Sequence, residues 1–258
     1  MVEYYEFLRG ENAYFDKVIL KNEETCYQGC LSFIKKVYLV GDAFKEEDFS
    51  SFYEFAKQLT NKAIYHESKI NLLASFPYNN DYQAYHTVNV AVLSLELGKS
   101  IFSNSDELVN LAMFALCHIL VWEDVKPINL RLGLSEDFLK SVFGIISVAD
   151  VYETFTHTRP YRDKLAPYDV LKAMVSAADV VFMPSLARKA LKVFSLYPLG
   201  SVVRLSNGEI AQVTKLNRKY PLRPEVLILT EPEAGNLDSL KIFDLSEHLE
   251  VYIKETKV

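Results

Sequence analysis

The segment Leu111–Trp122, LAMFALCHILVW, is apolar at every position except His118. A helix with this composition is apolar on all sides, so it must be surrounded by other elements rather than lie at a surface. It is too short to cross a bilayer. The chain is therefore predicted to form a bundle of helices around this segment, with the His118 imidazole in the interior.

Two further helical segments carry ionisable residues among apolar ones. In Tyr85–Leu97, apolar residues recur from His86 at steps of four, three and four, which places this histidine on the apolar face. Asp150 lies within the apolar run GIISVADVY. An isolated carboxylate is costly to transfer out of water, so Asp150 requires a cation, a metal ion or several hydrogen-bond donors. With His118, these residues form a set of two histidines and one aspartate on three buried helices.

Periodicity and capping signals divide the middle of the chain into a bundle. We expect helices at about 82–102, 106–122, 135–157, 167–180 and 184–195. Asn104 and Ser135 are suitable N-caps, and Pro167 and Pro184 stand where a first-turn proline is tolerated. The segment 123–134 is predicted to be a loop.

The N-terminal region, residues 1–75, is predicted to combine strand and helix. Lys35–Val40, KKVYLV, is rich in β-branched and aromatic residues, which is typical of a short strand. Phe15–Leu20 is a weaker strand candidate. From Lys45 the pattern becomes helical up to a break at 76–80.

The pattern changes from helical to alternating after Tyr197. Asn207-Gly208 separates two strand patterns and is a strong hairpin signal. Further strands are predicted at Val226–Leu229, Lys241–Phe243 and Leu249–Ile253. The expected fold class is mainly α, with a helical bundle over residues 76–196 between the α/β region 1–75 and a β-rich element over residues 197–258.

Composition limits the classes of function. The chain has 258 residues, of which 50% are hydrophobic, so it can bury a sizeable core. A net charge of −6 argues against a binder of nucleic-acid polymers or anionic membranes. The N-terminus does not resemble a signal peptide and no segment is long enough to span a membrane, so we expect a cytoplasmic protein. Cys26 and Cys30 have no second cysteine pair for a zinc site and are interpreted as structural.

Several segments resemble the HD-GYP branch of the HD-domain phosphohydrolases. In chain order they are YHTVNVAVLSLELGK, ALCHI, IISVADVYETFTHTRPYR, FMPSL and YPLGSVVRLSNGEIAQV, between about Asp81 and Leu229. The segment that ends in Arg-Pro-Tyr-Arg is the most specific part. In that family, a first histidine, a His-Asp pair and a later aspartate hold two or three metal ions around a hydroxide that attacks a phosphodiester, typically in cyclic di-GMP.

The chain departs from the family at several of these positions. The family's metal-binding residues that are retained correspond to His86, His118 and Asp150. Ile119 replaces the aspartate of the pair, Trp122 replaces the lysine of the signature, and no Gly-Tyr-Pro occurs. The segment 123–143 contains no histidine. A two-metal site needs a carboxylate that spans both ions, so we expect the two-metal machinery to be lost.

Two interpretations of the retained residues stay open. His86, His118 and Asp150 can hold one divalent ion, iron, manganese or zinc. They can also form a polar cluster in the core, in which Asp150 accepts a hydrogen bond from His118 or pairs with Arg159. We favour the polar cluster, and no cofactor is assigned with certainty.

The Arg-Pro-Tyr-Arg segment borders the substrate cavity in the family. The resemblance therefore implies that Arg159, Tyr161 and Arg162 bind a ligand phosphate, a task that suits the planar guanidinium. The alternative is that Arg159 pairs with Asp150 or Glu153 and fixes the turn. His157 differs from the polar residues usual at its position, and the sequence assigns it no role.

We interpret the chain as a catalytically degenerate HD-GYP-like signalling domain that binds a cyclic dinucleotide or a signalling protein. One alternative is a metal-dependent phosphodiesterase with an altered mononuclear site, in which Glu123 or Asp124 supplies a replacement carboxylate or base. Another is a scaffold for oligomerisation, and the sequence leaves open whether the chain forms a homo-oligomer.

Overall fold

The computed structural model describes residues 21–40, 46–65, 82–119, 132–159, 161–217, 219–229 and 241–256. The helices of this part are α1 (Lys21–Val40), α2 (Glu46–Tyr65), α3 (Tyr82–Gly98), α4 (Ser105–Leu116), α5 (Glu136–Thr156), α6 (Pro167–Ser176), α7 (Ala178–Val181) and α8 (Pro184–Val193). The strands are β1 (Val202–Leu205), β2 (Ile210–Lys215), β3 (Glu225–Ile228), β4 (Ile242–Asp244) and β5 (Ile253–Thr256). The fold is mainly α with a C-terminal β element, as predicted. None of the helices within these ranges combines the length and the apolar character needed to cross a membrane.

Helix α3 lies at the centre of the bundle. It contacts α1, α2, α4, α5 and α8, and most of its side chains are buried, including the polar His86, Asn89 and Glu96. The approach to α4 is close, because a Cβ atom at Gly98 would collide with the Leu111 side chain. Since α3 is surrounded, its polar groups must find their partners inside the protein.

Helix α1 occupies the position of the strand predicted at Lys35–Val40, so that prediction was wrong. The buried side chains of α1 include Cys26, Tyr27, Cys30, Leu31 and Ile34. Their spacing of three and four residues is helical, and packing of this face against α3 overrides the β propensity of the segment. The described part of the N-terminal region is therefore helical. The second strand candidate, Phe15–Leu20, lies outside the described residues.

Helix α4 is shorter than predicted. Its N-cap is Asn104, which forms a capping box with Glu107. The helix ends at Leu116 rather than near residue 122, so His118 lies in the following turn and not within the helix. His118 Nδ1 lies 2.6 Å from the carbonyl oxygen of Ala115, which also accepts from the backbone N–H of His118, so the ring is held against the last turn of the helix.

Helix α5 carries Asp150 and ends in the turn predicted after it. Ser135 caps its N-terminus by accepting a hydrogen bond from the backbone N–H of Phe138. Beyond Thr156, the backbones of Arg159 and Arg162 form two hydrogen bonds with each other. The nitrogen to oxygen distances are 2.8 Å from Arg159 to Arg162 and 3.1 Å in the reverse direction. The two arginines are thereby held in one tight turn beside the end of the helix. As predicted, Pro167 and Pro184 stand in the first turns of α6 and α8.

The five strands form one antiparallel sheet in the order β4-β3-β2-β1-β5. The predicted Asn207-Gly208 hairpin joins β1 to β2, and Gly208 has a φ of 93°, a conformation that glycine adopts without strain. The strands predicted near residues 226 and 242 are confirmed. The last strand starts at Ile253, so the predicted strand Leu249–Ile253 was placed too early.

The loops of the sheet are held together by Arg223. Its guanidinium donates to the carbonyl oxygens of Leu245, His248, Leu249 and Val251, at 3.2, 3.3, 3.2 and 2.6 Å. These carbonyls belong to the segment between β4 and β5. One side chain therefore satisfies backbone groups that no strand pairing reaches.

Candidate metal centre

The ligand atoms of His86, His118 and Asp150 converge between α3, α5 and the turn after α4. His86 Nε2 lies 3.3 Å from His118 Nε2 and 3.2 Å from Asp150 Oδ1. One ligand atom from each of the three residues lies within 4.8 Å of the other two. The three residues that the sequence singled out are thus brought together in space.

The His118 ring is oriented by the end of α4. Since Nδ1 faces the Ala115 carbonyl, it carries the proton and donates, and Nε2 is left with its lone pair toward His86. Burial lowers the pKa of His118, while the Ala115 hydrogen bond opposes this effect. The ring is therefore held as a neutral imidazole, the form that binds metal ions.

Asp150 stands at the mouth of the cluster. Its side chain is 42% exposed, so it is not the deeply buried carboxylate that the apolar run suggested. It pairs with His86, rather than with the predicted His118 or Arg159, and accepts a hydrogen bond of 3.3 Å from Thr154 Oγ1. Burial raises the pKa of Asp150, but the hydrogen bond and charge of His86 outweigh it and hold the pKa below its usual value. Asp150 is thus an ionised, accessible carboxylate.

Glu153 is the carboxylate that is fully buried, with a side-chain exposure of 0%. Its Oε2 forms a short hydrogen bond with His86 Nδ1. Its Oε1 lies 3.6 Å from His157 Nδ1. Burial raises the pKa of Glu153 to about 8, and the Arg159 guanidinium opposes the rise. Glu153 therefore lies behind His86, on the side away from Asp150.

The sequence named Glu153 only as one partner that Arg159 could have. A local signal was nevertheless present, because residues three apart lie on the same face of a helix, and Glu153 follows Asp150 at that spacing. The sequence does not show where α3 lies relative to α5. Only the packing of α3 on α5 puts His86 between the two carboxylates.

Arg159 is turned inward. Its Nη2 lies 3.4 Å from Glu153 Oε2 and donates to Thr154 Oγ1 at 2.8 Å, and its side chain is 11% exposed. The ion pair with Glu153, which the sequence offered as an alternative, is present. Arg162 donates to the backbone oxygen of Thr154 and stacks on Phe155 with its guanidinium carbon 4.7 Å from the ring centroid.

Tyr161 is an exposed residue of this turn, with 72% of its surface accessible. Arg159 Nη1 lies 3.4 Å from its hydroxyl oxygen. Of the three residues assigned to ligand binding by resemblance, the two arginines are engaged with the protein, and Tyr161 faces solvent.

The donor set fits a divalent metal ion. Metal–nitrogen bonds of about 2.0–2.1 Å in a tetrahedral arrangement separate the ligand atoms by roughly 3.3 Å, close to the spacing between the two Nε2 atoms. Metal-binding histidines usually bond their second ring nitrogen to a carboxylate or a backbone carbonyl. His86 does so with Glu153, and His118 with Ala115.

The same atoms can also be satisfied without a metal ion. A His86 ring that carries protons on both nitrogens donates to Glu153 from Nδ1 and to Asp150 from Nε2. A metal ion at the site would take the place of the proton on Nε2. The geometry thus accommodates both interpretations of the sequence.

Ile119 follows His118 in the same turn and offers no ligand atom. Across the described ranges, no other group of three histidine, cysteine or carboxylate ligands converges. The replacement candidates Glu123 and Asp124 lie outside the described residues.

Two known protein groups are similar to this chain. A family model described as a KOW domain associated with HD domain matches residues 202–256, the segment that contains all five strands. A cyclic di-GMP phosphodiesterase from Pseudomonas aeruginosa is 27% identical to the chain over 106 residues. These similarities support an HD-domain family. The helical bundle that precedes the KOW-like segment is the part of the chain that contains the histidine cluster.

The similarity to the phosphodiesterase covers a part of each protein. The aligned segment makes up 41% of this chain and 25% of the relative, so the chain spans less than two thirds of that relative's length. No solved structure matches the chain.

Proposed function

We propose that this chain is a degenerate HD-GYP-like signalling domain that binds one divalent metal ion and a cyclic dinucleotide or a protein partner, and that it does not hydrolyse cyclic di-GMP. The observation that carries the proposal is the convergence of His86, His118 and Asp150 with Ile119 beside them. The set is complete for one ion and lacks the carboxylate that would join a second.

The position of Glu153 supports a single ion. It is the carboxylate next to the cluster on α5, but its oxygens face His86 Nδ1 and His157 rather than the space in front of Asp150. Its exposure of 0% leaves no opening through which a second ion could reach it. Glu153 therefore cannot replace the aspartate lost at Ile119.

The three ligands suit a transition metal. Two imidazoles and one carboxylate are the ligand types that bind iron(II), manganese or zinc. In this proposal His86 and His118 hold the ion through Nε2, and the accessible Asp150 completes the set at the mouth of the cluster. A divalent ion would supply Lewis-acid attraction for an anionic ligand.

The ligand class follows from the relative and from the surface beside the cluster. The phosphodiesterase relative acts on cyclic di-GMP, according to its name. In this chain the exposed ring of Tyr161 lies next to the inward-facing Arg159, which provides an apolar face for a base close to positive charge. A cyclic dinucleotide is therefore the first ligand to test, with a signalling protein as the second.

The test combines elemental analysis, binding and turnover. We expect about one equivalent of iron, manganese or zinc in wild type, which His118→Ala loses. His248→Ala is the matched control, because His248 has a side chain that is 44% exposed and lies in the loop after β4. Two ions per chain, together with hydrolysis of cyclic di-GMP that His118→Ala abolishes, would refute the proposal.

A second candidate is a mononuclear phosphodiesterase. The 42% exposure of Asp150 favours it, because a ligand at the mouth of the cluster leaves the site open to substrate. In that case Glu123 or Asp124 would serve as the base. A phosphodiesterase activity that Glu123→Gln or Asp124→Asn removes, while metal content is unchanged, would favour this candidate over the first.

A further inference from the structure

The Glu153 carboxylate lies between two histidines. Oε2 bonds to Nδ1 of His86, and Oε1 lies 3.6 Å from Nδ1 of His157. The three side chains are 11%, 0% and 12% exposed, so water does not screen them strongly. Oε1 has no hydrogen-bond partner among the described residues, and the His157 ring faces it. Burial of a carboxylate with one unpaired oxygen costs free energy, so a functional role that offsets this cost is expected.

We propose that Glu153 is the positioning residue of the histidine cluster, which fixes the His86 ring so that Nε2 is its ligand atom, and that His157 holds Glu153 in place. The inference rests on the proposed metal site and adds two residues to it. Neither touches the ion; both act through His86.

The direction of the effect follows from the hydrogen-bond chemistry of His86. A metal ion on Nε2 requires the proton to be on Nδ1, and Glu153 Oε2 faces Nδ1 and accepts the hydrogen bond of that proton, so Glu153 selects this tautomer. A competing donor is present, because Arg159 Nη2 lies 3.2 Å from the same Nδ1. Without the carboxylate charge, Nδ1 can accept from Arg159 instead, and the proton then moves to Nε2 and blocks the ligand atom.

His157 is the residue of this chain that the family resemblance left without a role. It is the C-cap of α5, and its Nδ1 also lies 3.2 Å from the backbone oxygen of Glu153. The ring is thus fixed against the last turn of the helix that carries Glu153. In this position the His157 ring limits the movement of Oε1 away from His86.

The experiment compares metal affinity in three variants of the full chain. Glu153→Gln keeps the shape and removes the charge, and we expect the dissociation constant for Co²⁺ or Zn²⁺ to rise about 10–100-fold. His157→Gln should raise it less, and Glu153→Asp should restore part of the affinity. The visible absorption of bound Co²⁺ should change in Glu153→Gln, because the orientation of the His86 ring changes.

Glu96→Gln is the matched control. Glu96 is a buried glutamate on α3, the helix of His86, and it pairs with Lys99 at 2.7 Å rather than with the cluster. We expect Glu96→Gln to lower the melting temperature while metal affinity stays within about twofold, since a purely structural effect acts on folding alone. If Glu153→Gln binds metal as tightly as wild type, the positioning role is refuted and the metal site stands.

A second measurement needs no metal. In ¹⁵N-labelled protein at pH 9, where Glu153 is ionised, we expect the ring nitrogens of His86 to report a proton on Nδ1 in wild type and a shift toward Nε2 in Glu153→Gln. The chain has five histidines, so the signals can be assigned by substitution. If wild type binds no metal, the proposed function fails, while the tautomer still decides the role of Glu153. An unchanged tautomer in Glu153→Gln would overturn that role.

Discussion

The Nε2 atoms of His86 and His118 face each other at 3.3 Å, while each ring turns its Nδ1 toward an acceptor of the protein. Two neutral imidazoles in this state direct lone pairs at one point, which is unfavourable unless a proton or a cation lies between them. Asp150 adds a negative charge at the same point. The cluster therefore favours a positive charge, and a proton and a metal ion compete for the place.

Metal binding is expected to release a measurable number of protons, because a proton and the ion compete for Nε2 of His86, which faces Asp150. Isothermal titration calorimetry in buffers of different ionisation enthalpy measures this number. A value near zero would contradict the competition between a proton and the metal ion for this nitrogen.

Asp150→Asn should separate metal binding from stability. The amide is a poorer ligand than the carboxylate, so we expect metal affinity to fall by about 100-fold or more. The side chain is 42% exposed, and pairs with such exposure contribute at most about 1 kcal/mol, so the melting temperature should change by no more than about 4 °C. Asp137→Asn, at a position 96% exposed on the same helix, is the control that should change neither. A large loss of stability in Asp150→Asn would show that the carboxylate has a structural role.

Arg159→Ala should destabilise the metal-free protein by about 1–3 kcal/mol, because the buried Glu153 Oε2 loses a hydrogen-bond donor. Urea denaturation followed by circular dichroism measures the change in the free energy of unfolding. Arg188→Ala, an exposed arginine on α8, should stay within about 0.5 kcal/mol of wild type. Equal effects of the two substitutions would contradict the inward role of Arg159.

Arg223→Ala should loosen the C-terminal sheet, since four carbonyl oxygens lose one shared donor. We expect a cost of about 2–4 kcal/mol and faster amide exchange in β3 and β4. Arg204→Ala is the matched change, because Arg204 pairs with Glu255 at the surface, where the side chains are 39% and 55% exposed; its cost should stay below about 1 kcal/mol. If β3 and β4 stay protected from amide exchange in Arg223→Ala, other contacts hold the segment between β4 and β5 in place.

The features that the sequence predicted well depend on local chemistry. Asn104 and Ser135 cap helices because their side chains accept backbone N–H groups nearby in the chain. Asn207-Gly208 forms a hairpin because glycine tolerates the positive φ that the turn needs. Neither requires knowledge of distant segments.

The features that the sequence did not predict depend on tertiary packing. The segment Lys35–Val40 has β propensity, but it belongs to α1, whose buried face includes Leu31 and Ile34, and this helix packs on α3. His118 was placed inside a helix because apolar composition does not show where the last turn ends. Glu153 is fully buried while Asp150 on the same helix is 42% exposed, and the sequence does not encode locally how deeply α5 is covered at each position.

Arg159 joins the turn that carries Tyr161 to the interior, since it contacts both the Tyr161 hydroxyl and the Glu153 carboxylate behind His86. A molecule that binds Tyr161 and displaces the turn must also disturb that carboxylate. The affinity of the surface for its ligand and the affinity of the cluster for a cation are then reciprocally linked, so that each changes the other by the same factor.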